Sequence, residues 1–112
     1  MTTLFDSLSM GPYILPNRII MAPMTRGRSD VGALPNELMA EYYASRADAG
    51  LLITEATAIH PLGYGWLGAP GIWNEDQTKK WKLVTDAVHE KGGKIFLQHE
   101  LRSLQEKREE IR

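Results

Sequence analysis

A chain of 112 residues with 43% hydrophobic and 24% charged side chains has the composition of a globular domain. Its net charge of −1 supplies no field that would gather nucleic acid or an anionic membrane, and the absence of cysteine excludes a disulfide framework, a thiolate nucleophile and a cysteine zinc site. No window approaches the ~18 apolar residues of a membrane span, and Met1-Thr2-Thr3-Leu4-Phe5-Asp6 has neither part of a leader peptide, so the sequence reads as a cytoplasmic chain.

The apolar pieces from Leu4 to Leu8 and over Tyr13-Ile14-Leu15 flank Met10-Gly11-Pro12, a hairpin turn signal, and predict a small antiparallel lid. Arg18 to Met24 predicts a first strand, with Pro23 removing a donor near its end. A polar loop over Gly27 to Ala33 leads to Pro35-Asn36, which opens a helix with Glu37 in its first turn. Leu38, Met39, Tyr42, Tyr43, Arg46 and Ala47 recur at helical spacing, and Gly50 is placed as the residue just past the helix end. Leu51 to Thr54 or Ala56 predicts a second strand, and the Pro and Gly residues from Pro61 to Gly71 a long, structured loop.

Asn74 followed by Gln77 predicts a capping box for a second helix, whose buried stripe is Trp81, Val84 and Val88 and whose stop is Lys91-Gly92-Gly93. Lys94 to Gln98 predicts the third strand. The order hairpin, β, α, β, α, β is the α/β alternation of a parallel sheet. From His99 to Arg112, eight of fourteen residues are charged, which predicts a solvated helix with Leu101, Leu104 and Ile111 as a thin apolar seam.

In parallel α/β structures ligands gather beyond the carboxyl ends of strands. Three positions meet there by fold logic: Thr25, the Glu55-Ala56-Thr57 segment and Gln98. A hydroxyl, a small residue that admits close backbone approach and an amide suit a flat heterocycle with hydrogen-bonding edges. Each also has an ordinary reading, Thr25 as a loop cap, Gln98 as a strand-end amide bonded to backbone, Trp66 and Trp73 as packing aromatics, and Glu55 as a group that holds a loop instead of moving a proton. His60, His89 and His99 lack the spacing of a metal site.

The motifs Met21-Ala22-Pro23-Met24-Thr25-Arg26, Glu41-Tyr42-Tyr43 with Arg46-Ala47, Leu52-Ile53-Thr54-Glu55-Ala56-Thr57, Ala69-Pro70-Gly71-Ile72-Trp73 and Ile95-Phe96-Leu97-Gln98 resemble the N-terminal part of the Old Yellow Enzyme family. The resemblance implies the first portion of a (β/α)₈ TIM barrel and an FMN-dependent NAD(P)H oxidoreductase that reduces activated C=C bonds of enones. It implies that Pro23, Met24 and Thr25 line the isoalloxazine, with Thr25 tuning the flavin, that Ala56 meets the flavin rim and Gln98 its pyrimidine side, and that Trp66 walls the substrate pocket.

Such a barrel takes about 250 residues. Residues 1–98 are therefore expected to be a partial flavin-binding domain and residues 99–112 a charged tail, since His99-Glu100-Leu101-Arg102 departs from the family's continuation. No residue here matches the family's substrate-carbonyl pair, proton-donating tyrosine or phosphate loops. The expectation is weak FMN retention and no turnover by this chain alone. The alternative is a non-catalytic fragment that self-associates, or complements another chain, through an open sheet edge and the tail.

Overall fold

The computed structural model describes residues 2–65 and 67–100. A hairpin comes first: β1 (Leu8–Met10) pairs antiparallel with β2 (Tyr13–Leu15), Leu8 facing Leu15 and Met10 facing Tyr13. Gly11 takes φ 56°, the left-handed value a two-residue hairpin loop needs at its first position, and Pro12 behind it is held at negative φ by its ring.

Then follow β3 (Ile20–Met21), α1 (Glu37–Ala44), β4 (Leu51–Ile53), β5 (Thr57–Ala58), α2 (Glu75–Glu90), β6 (Ile95–Phe96) and β7 (His99–Glu100). The order β3-β4-β6 makes a parallel sheet, with Met21 beside Leu52 and Leu52 beside Ile95. Beyond a break, β5 and β7 resume the same parallel course, Thr57 beside His99. The α/β alternation expected from the sequence is present. Strand, helix, strand, helix, strand is the repeating unit of a (β/α) barrel, here in part.

Both helix starts follow their local chemistry. The Asn36 side chain accepts the Met39 N–H at 2.9 Å and the Asn74 side chain accepts the Gln77 N–H at 2.9 Å, so each asparagine satisfies a donor that has no partner within its helix. Gln77 completes the second cap differently from a capping box. Its carbonyl oxygen accepts the N–H of Trp73, at 2.7 Å, and its amide nitrogen donates to the Gly32 carbonyl at 3.0 Å, which ties α2 to a loop 45 residues away in sequence. The C-terminal end of α2 closes with Gly92 at φ 78°; Gly92 N–H returns to His89 O and Gly93 N–H to Val88 O, the double bond of a Schellman motif.

The core lies between the two helices and one face of the sheet. Met39, Tyr43, Ala47, Leu52, Trp81, Val84 and Val88 are buried there, and Trp81 also donates its indole N–H to the Gly71 carbonyl at 3.1 Å. Leu38, expected on the same stripe, is 56% exposed, because its neighbour Met39 takes the inward position. Alternation along β6 sends Phe96 to the face opposite the helices, where the Tyr13 ring meets it edge-on at 5.4 Å. The hairpin therefore packs on the sheet face opposite the helices.

Other expectations change as well, and the third strand, expected over Lys94 to Gln98, is confined to Ile95–Phe96. The first strand shortens to Ile20–Met21: Arg18 N–H is taken by Leu4 O, and Ala22 and Pro23 follow without pairing. Gly50 is not a left-handed helix terminator. It stands where the Asn17 backbone crosses so closely that an added Cβ would run into the Asn17 carbonyl oxygen, and its own N–H donates to Ile19 O at 2.8 Å. The helix expected from His99 does not begin there, because β5 recruits His99 and Glu100 into an extended course through Thr57 N–H to Gln98 O and Ile59 N–H to Glu100 O. The remainder of that tail, with Leu101, Leu104 and Ile111, lies outside the described residues.

Candidate functional site

The carboxyl ends of β4 and β6 meet through Thr54 to Thr57. Thr54 N–H donates to Phe96 O at 2.9 Å, and Gln98 N–H donates to Thr54 Oγ1 at 3.1 Å. The Thr54 hydroxyl hydrogen and the Thr57 hydroxyl both donate to the Glu55 carbonyl, at 3.0 and 2.9 Å. This local wrapping breaks the ladder between β4 and β5, fixes the peptide that joins Glu55 to Ala56, and leaves Ala56 half-buried. The peptide is trans, so the Ala56 N–H points away from the tethered carbonyl, and it has no partner among the described residues.

Around that segment stand the other sequence-predicted residues. Pro23, Met24 and Thr25 follow β3 as exposed chain, and Gln98 is exposed between β6 and β7. Neither the Thr25 hydroxyl nor the Gln98 carboxamide has a hydrogen-bond partner among the described residues. Thr25 and Gln98 thus follow the two strands that flank β4, the strand that leads to Ala56. The structure brings Thr25, Ala56 and Gln98 to one end of the sheet. Trp66 lies outside the described residues.

The sequence left Glu55 without a visible partner, and the structure supplies two. Its carboxylate is 1% exposed; Oε2 accepts the Tyr43 hydroxyl at 2.7 Å and Oε1 accepts the Arg26 backbone N–H at 3.4 Å. The Tyr43 oxygen in turn accepts the Glu55 N–H at 2.9 Å. Burial pushes the Glu55 carboxyl above its ordinary range, while the Tyr43 hydroxyl, the Arg26 amide and the Arg26 charge pull it back. Burial, joined by the neighbouring carboxylate, drives the Tyr43 hydroxyl far up, so that it remains a donor. A tyrosine on the buried stripe of a helix reads as packing; only the fold shows that its oxygen ends at the strand beside it.

Two loops frame this end. Ser29 binds the second loop through N–H to Gly68 O at 3.0 Å and through Oγ to Gly68 O at 2.6 Å and Ala69 O at 3.0 Å, and Gly71 N–H donates to Ala33 O at 2.9 Å. A depression of ≈ 170 Å³ opens on the helix side, lined by Arg26, Arg28, Leu38, Met39, Tyr42 and Glu55. Thr25, Ala56 and Gln98 do not line it, so the strand-end surface is a separate feature. Arg26 and Arg46 both approach the Tyr42 ring, at 5.3 and 4.0 Å from its centroid. No group of three or more metal-ligating side chains is present among the described residues, and no described helix is long and apolar enough to cross a membrane.

Residues 3–110 match the NADH:flavin oxidoreductase / NADH oxidase family. The chain is 51% identical over 100 residues to a chanoclavine-I aldehyde reductase of Penicillium roqueforti, covering 88% of this chain and 27% of that protein. It is 48% identical over 96 residues to 12-oxophytodienoate reductase 7 of Oryza sativa subsp. japonica, covering 85% of this chain and 24% of that protein. Among solved structures, the old yellow enzyme homologue from Zymomonas mobilis superposes with a TM-score of 0.88 at 50% identity, covering 91% of this chain and 29% of that one. Morphinone reductase in complex with tetrahydroNAD gives a TM-score of 0.87 at 48% identity, covering 90% and 28%. The chain spans about a quarter of the length of the curated relatives it matches.

Proposed function

The chain belongs to the NADH:flavin oxidoreductase / NADH oxidase family, and on that premise we propose that it supplies one side of the FMN site of an ene-reductase. The observation that carries the reading is the pair of polar side chains Thr25 and Gln98 and the Ala56 N–H, all without a hydrogen-bond partner among the described residues, at the ends of adjacent strands. These groups fit a flat, edge-hydrogen-bonding cofactor: the Thr25 hydroxyl donates at one edge, the Gln98 carboxamide both donates and accepts at another, and Ala56 is small enough to let backbone approach. Pro23 and Met24, exposed and just before Thr25 in the chain, offer apolar surface for a ring face. Trp66 is assigned to the wall of the substrate pocket by resemblance.

FMN, when bound, supplies two-electron chemistry, accepting a hydride equivalent from NAD(P)H and delivering it to an activated alkene of the enone kind. The residues of this chain orient that group; a donor held against the flavin edge favours its reduced form. The relatives' names, an aldehyde reductase and a 12-oxophytodienoate reductase, support a carbonyl-conjugated substrate. None of the residues here corresponds to a proton donor, a substrate-carbonyl pair or a phosphate loop, so the chain by itself is expected to hold FMN weakly and to turn over no enone.

The test is a titration of the purified chain with FMN, followed by flavin absorption and fluorescence, with and without NADPH and a cyclic enone. Weak binding that drops roughly fivefold in Thr25→Ala and in Gln98→Ala, the size of one lost hydrogen bond, supports the reading. Equal affinity in wild type and both variants sinks the site assignment, and turnover by the chain alone sinks the inactivity.

A second reading is favoured by the two open sheet edges. β3 and β6 each pair on one side only among the described residues, and Ile20 and Phe96 remain 44% and 38% exposed. Self-association through these edges is the corresponding non-catalytic role. Light scattering decides it: a monomer over a wide concentration range excludes it.

A further inference from the structure

We propose that the Glu55 carboxylate, held by the Tyr43 hydroxyl, is a positioning group that fixes the spacing between the two strand-end segments carrying Thr25 and Ala56. The proposal rests on the reading of those segments as one side of the FMN site, and it adds residues which that reading leaves unexplained.

Arg26 directly follows Thr25, and its N–H reaches Glu55 Oε1 at 3.4 Å. Ala56 directly follows Glu55. A single carboxylate therefore touches the backbone of the first segment while its own backbone is the second. Tyr43 fastens the arrangement from α1, the crossover between the two strands, and does so twice: it donates to Oε2 at 2.7 Å and accepts the Glu55 N–H at 2.9 Å. Both side chains are buried, Tyr43 fully and Glu55 to 1% exposure.

Packing alone does not call for these groups. A phenylalanine and a methionine would fill similar volume without the cost of burying a carboxylate, which is large unless every lone pair is used. The polar pair adds direction. The two carboxylate oxygens take a hydroxyl and an amide that arrive from different elements, one on each oxygen, and the reciprocal bond from Glu55 N–H holds the main chain in register with the side chain. With the Glu55 carbonyl also tied by Thr54 and Thr57, the following peptide has one orientation, and with it the Ala56 N–H donor. The groups that face the carboxylate are Tyr43 from α1 and the Arg26 amide and guanidinium from the loop after β3; Tyr42 lies beside Tyr43, ring centroids 5.1 Å apart.

The experiment uses the whole chain and three forms of it: wild type, Glu55→Gln and Tyr43→Phe. Backbone amide resonances are followed against pH, and FMN affinity is measured by fluorescence titration. In wild type the Arg26 and Ala56 amides are expected to shift with one common midpoint, that of Glu55. Tyr43→Phe removes a bond that favours the carboxylate and moves the midpoint up. Glu55→Gln abolishes the titration and, having one acceptor where two are needed, weakens FMN on the order of tenfold, while the Val84 and Gly93 resonances keep their positions and report an intact fold. An Arg26 amide indifferent to the titration overturns the proposal, as does unchanged FMN affinity in both variants. If wild type shows no FMN affinity, the functional reading falls and the common midpoint at Arg26 and Ala56 decides the positioning role by itself.

Discussion

Gln98 gives its backbone N–H to the side-chain oxygen of Thr54 at 3.1 Å, so a hydroxyl takes the place of a carbonyl between two lengths of parallel ladder. On either side the ladder is ordinary, Thr54 N–H to Phe96 O and Thr57 N–H to Gln98 O, both at 2.9 Å. The substitution of side chain for main chain lets Glu55 and Ala56 bend out of the strand without orphaning the amide opposite.

Thr54→Val keeps the branched shape and removes that acceptor. The variant is expected to lose about 1–2 kcal/mol, the cost of an amide left without its bond in a confined place. Urea denaturation measures the loss, and the Gln98 amide should exchange faster than the Thr57 amide, which keeps its carbonyl partner.

The raised Glu55 carboxyl makes stability depend on pH in a defined direction. The folded state binds this proton more tightly than the unfolded state, whose value lies at 4.5. The contribution is therefore complete below the unfolded value and is lost as pH rises through the raised folded value. Denaturation midpoints should fall as pH rises above 4.5, through the raised folded value, and Glu55→Gln should flatten the fall. Tyr43 stays protonated throughout and adds no slope.

Adjacent residues on α1 give an internal control for core packing. Met39 is 2% exposed among Tyr43, Trp81 and Val84, whereas Leu38 is 56% exposed. Met39→Ala should cost about 2–5 kcal/mol, a large share of what a chain this size commands. Leu38→Ala should stay within about 0.5 kcal/mol. Equal losses would place the stripe one residue off.

Two glycines are needed for different reasons and should respond differently. Gly92, at φ 78° with open space around it, should tolerate alanine at about 1 kcal/mol, the strain of a left-handed residue. Gly50 has no such strain, but a methyl there meets the Asn17 carbonyl, so Gly50→Ala should displace the chain before β3 and cost more. Thermal unfolding of the two variants ranks them.

The parts legible in the sequence were those written in short range. Asn36 and Asn74 cap helices three residues ahead, and Trp81, Val84 and Val88 form their stripe within one element. Thr25, Ala56 and Gln98 were placed together by the rule that strand ends converge. What escaped was decided across elements. The Tyr43 hydroxyl meets a carboxylate 12 residues on, beyond a turn and a strand, and no spacing rule links an aromatic stripe to a strand end. Likewise the charge pattern of His99 onward suits a helix, but two main-chain bonds from β5 hold His99 and Glu100 extended. Strand lengths were overestimated because apolar runs continue where pairing partners do not.

The seam between Ser29 and Gly68 has a mechanical consequence. Gly68 sits at φ 77° with the Gly27 carbonyl at 2.5 Å from any Cβ it might carry, and Gly27 is two residues past Thr25. The two loops are thus joined by hydrogen bonds from Ser29 and by the close approach of Gly27 and Gly68. A bulky residue introduced at Gly68 would press on the Gly27 backbone, and so would be felt in the chain that leads back to Thr25.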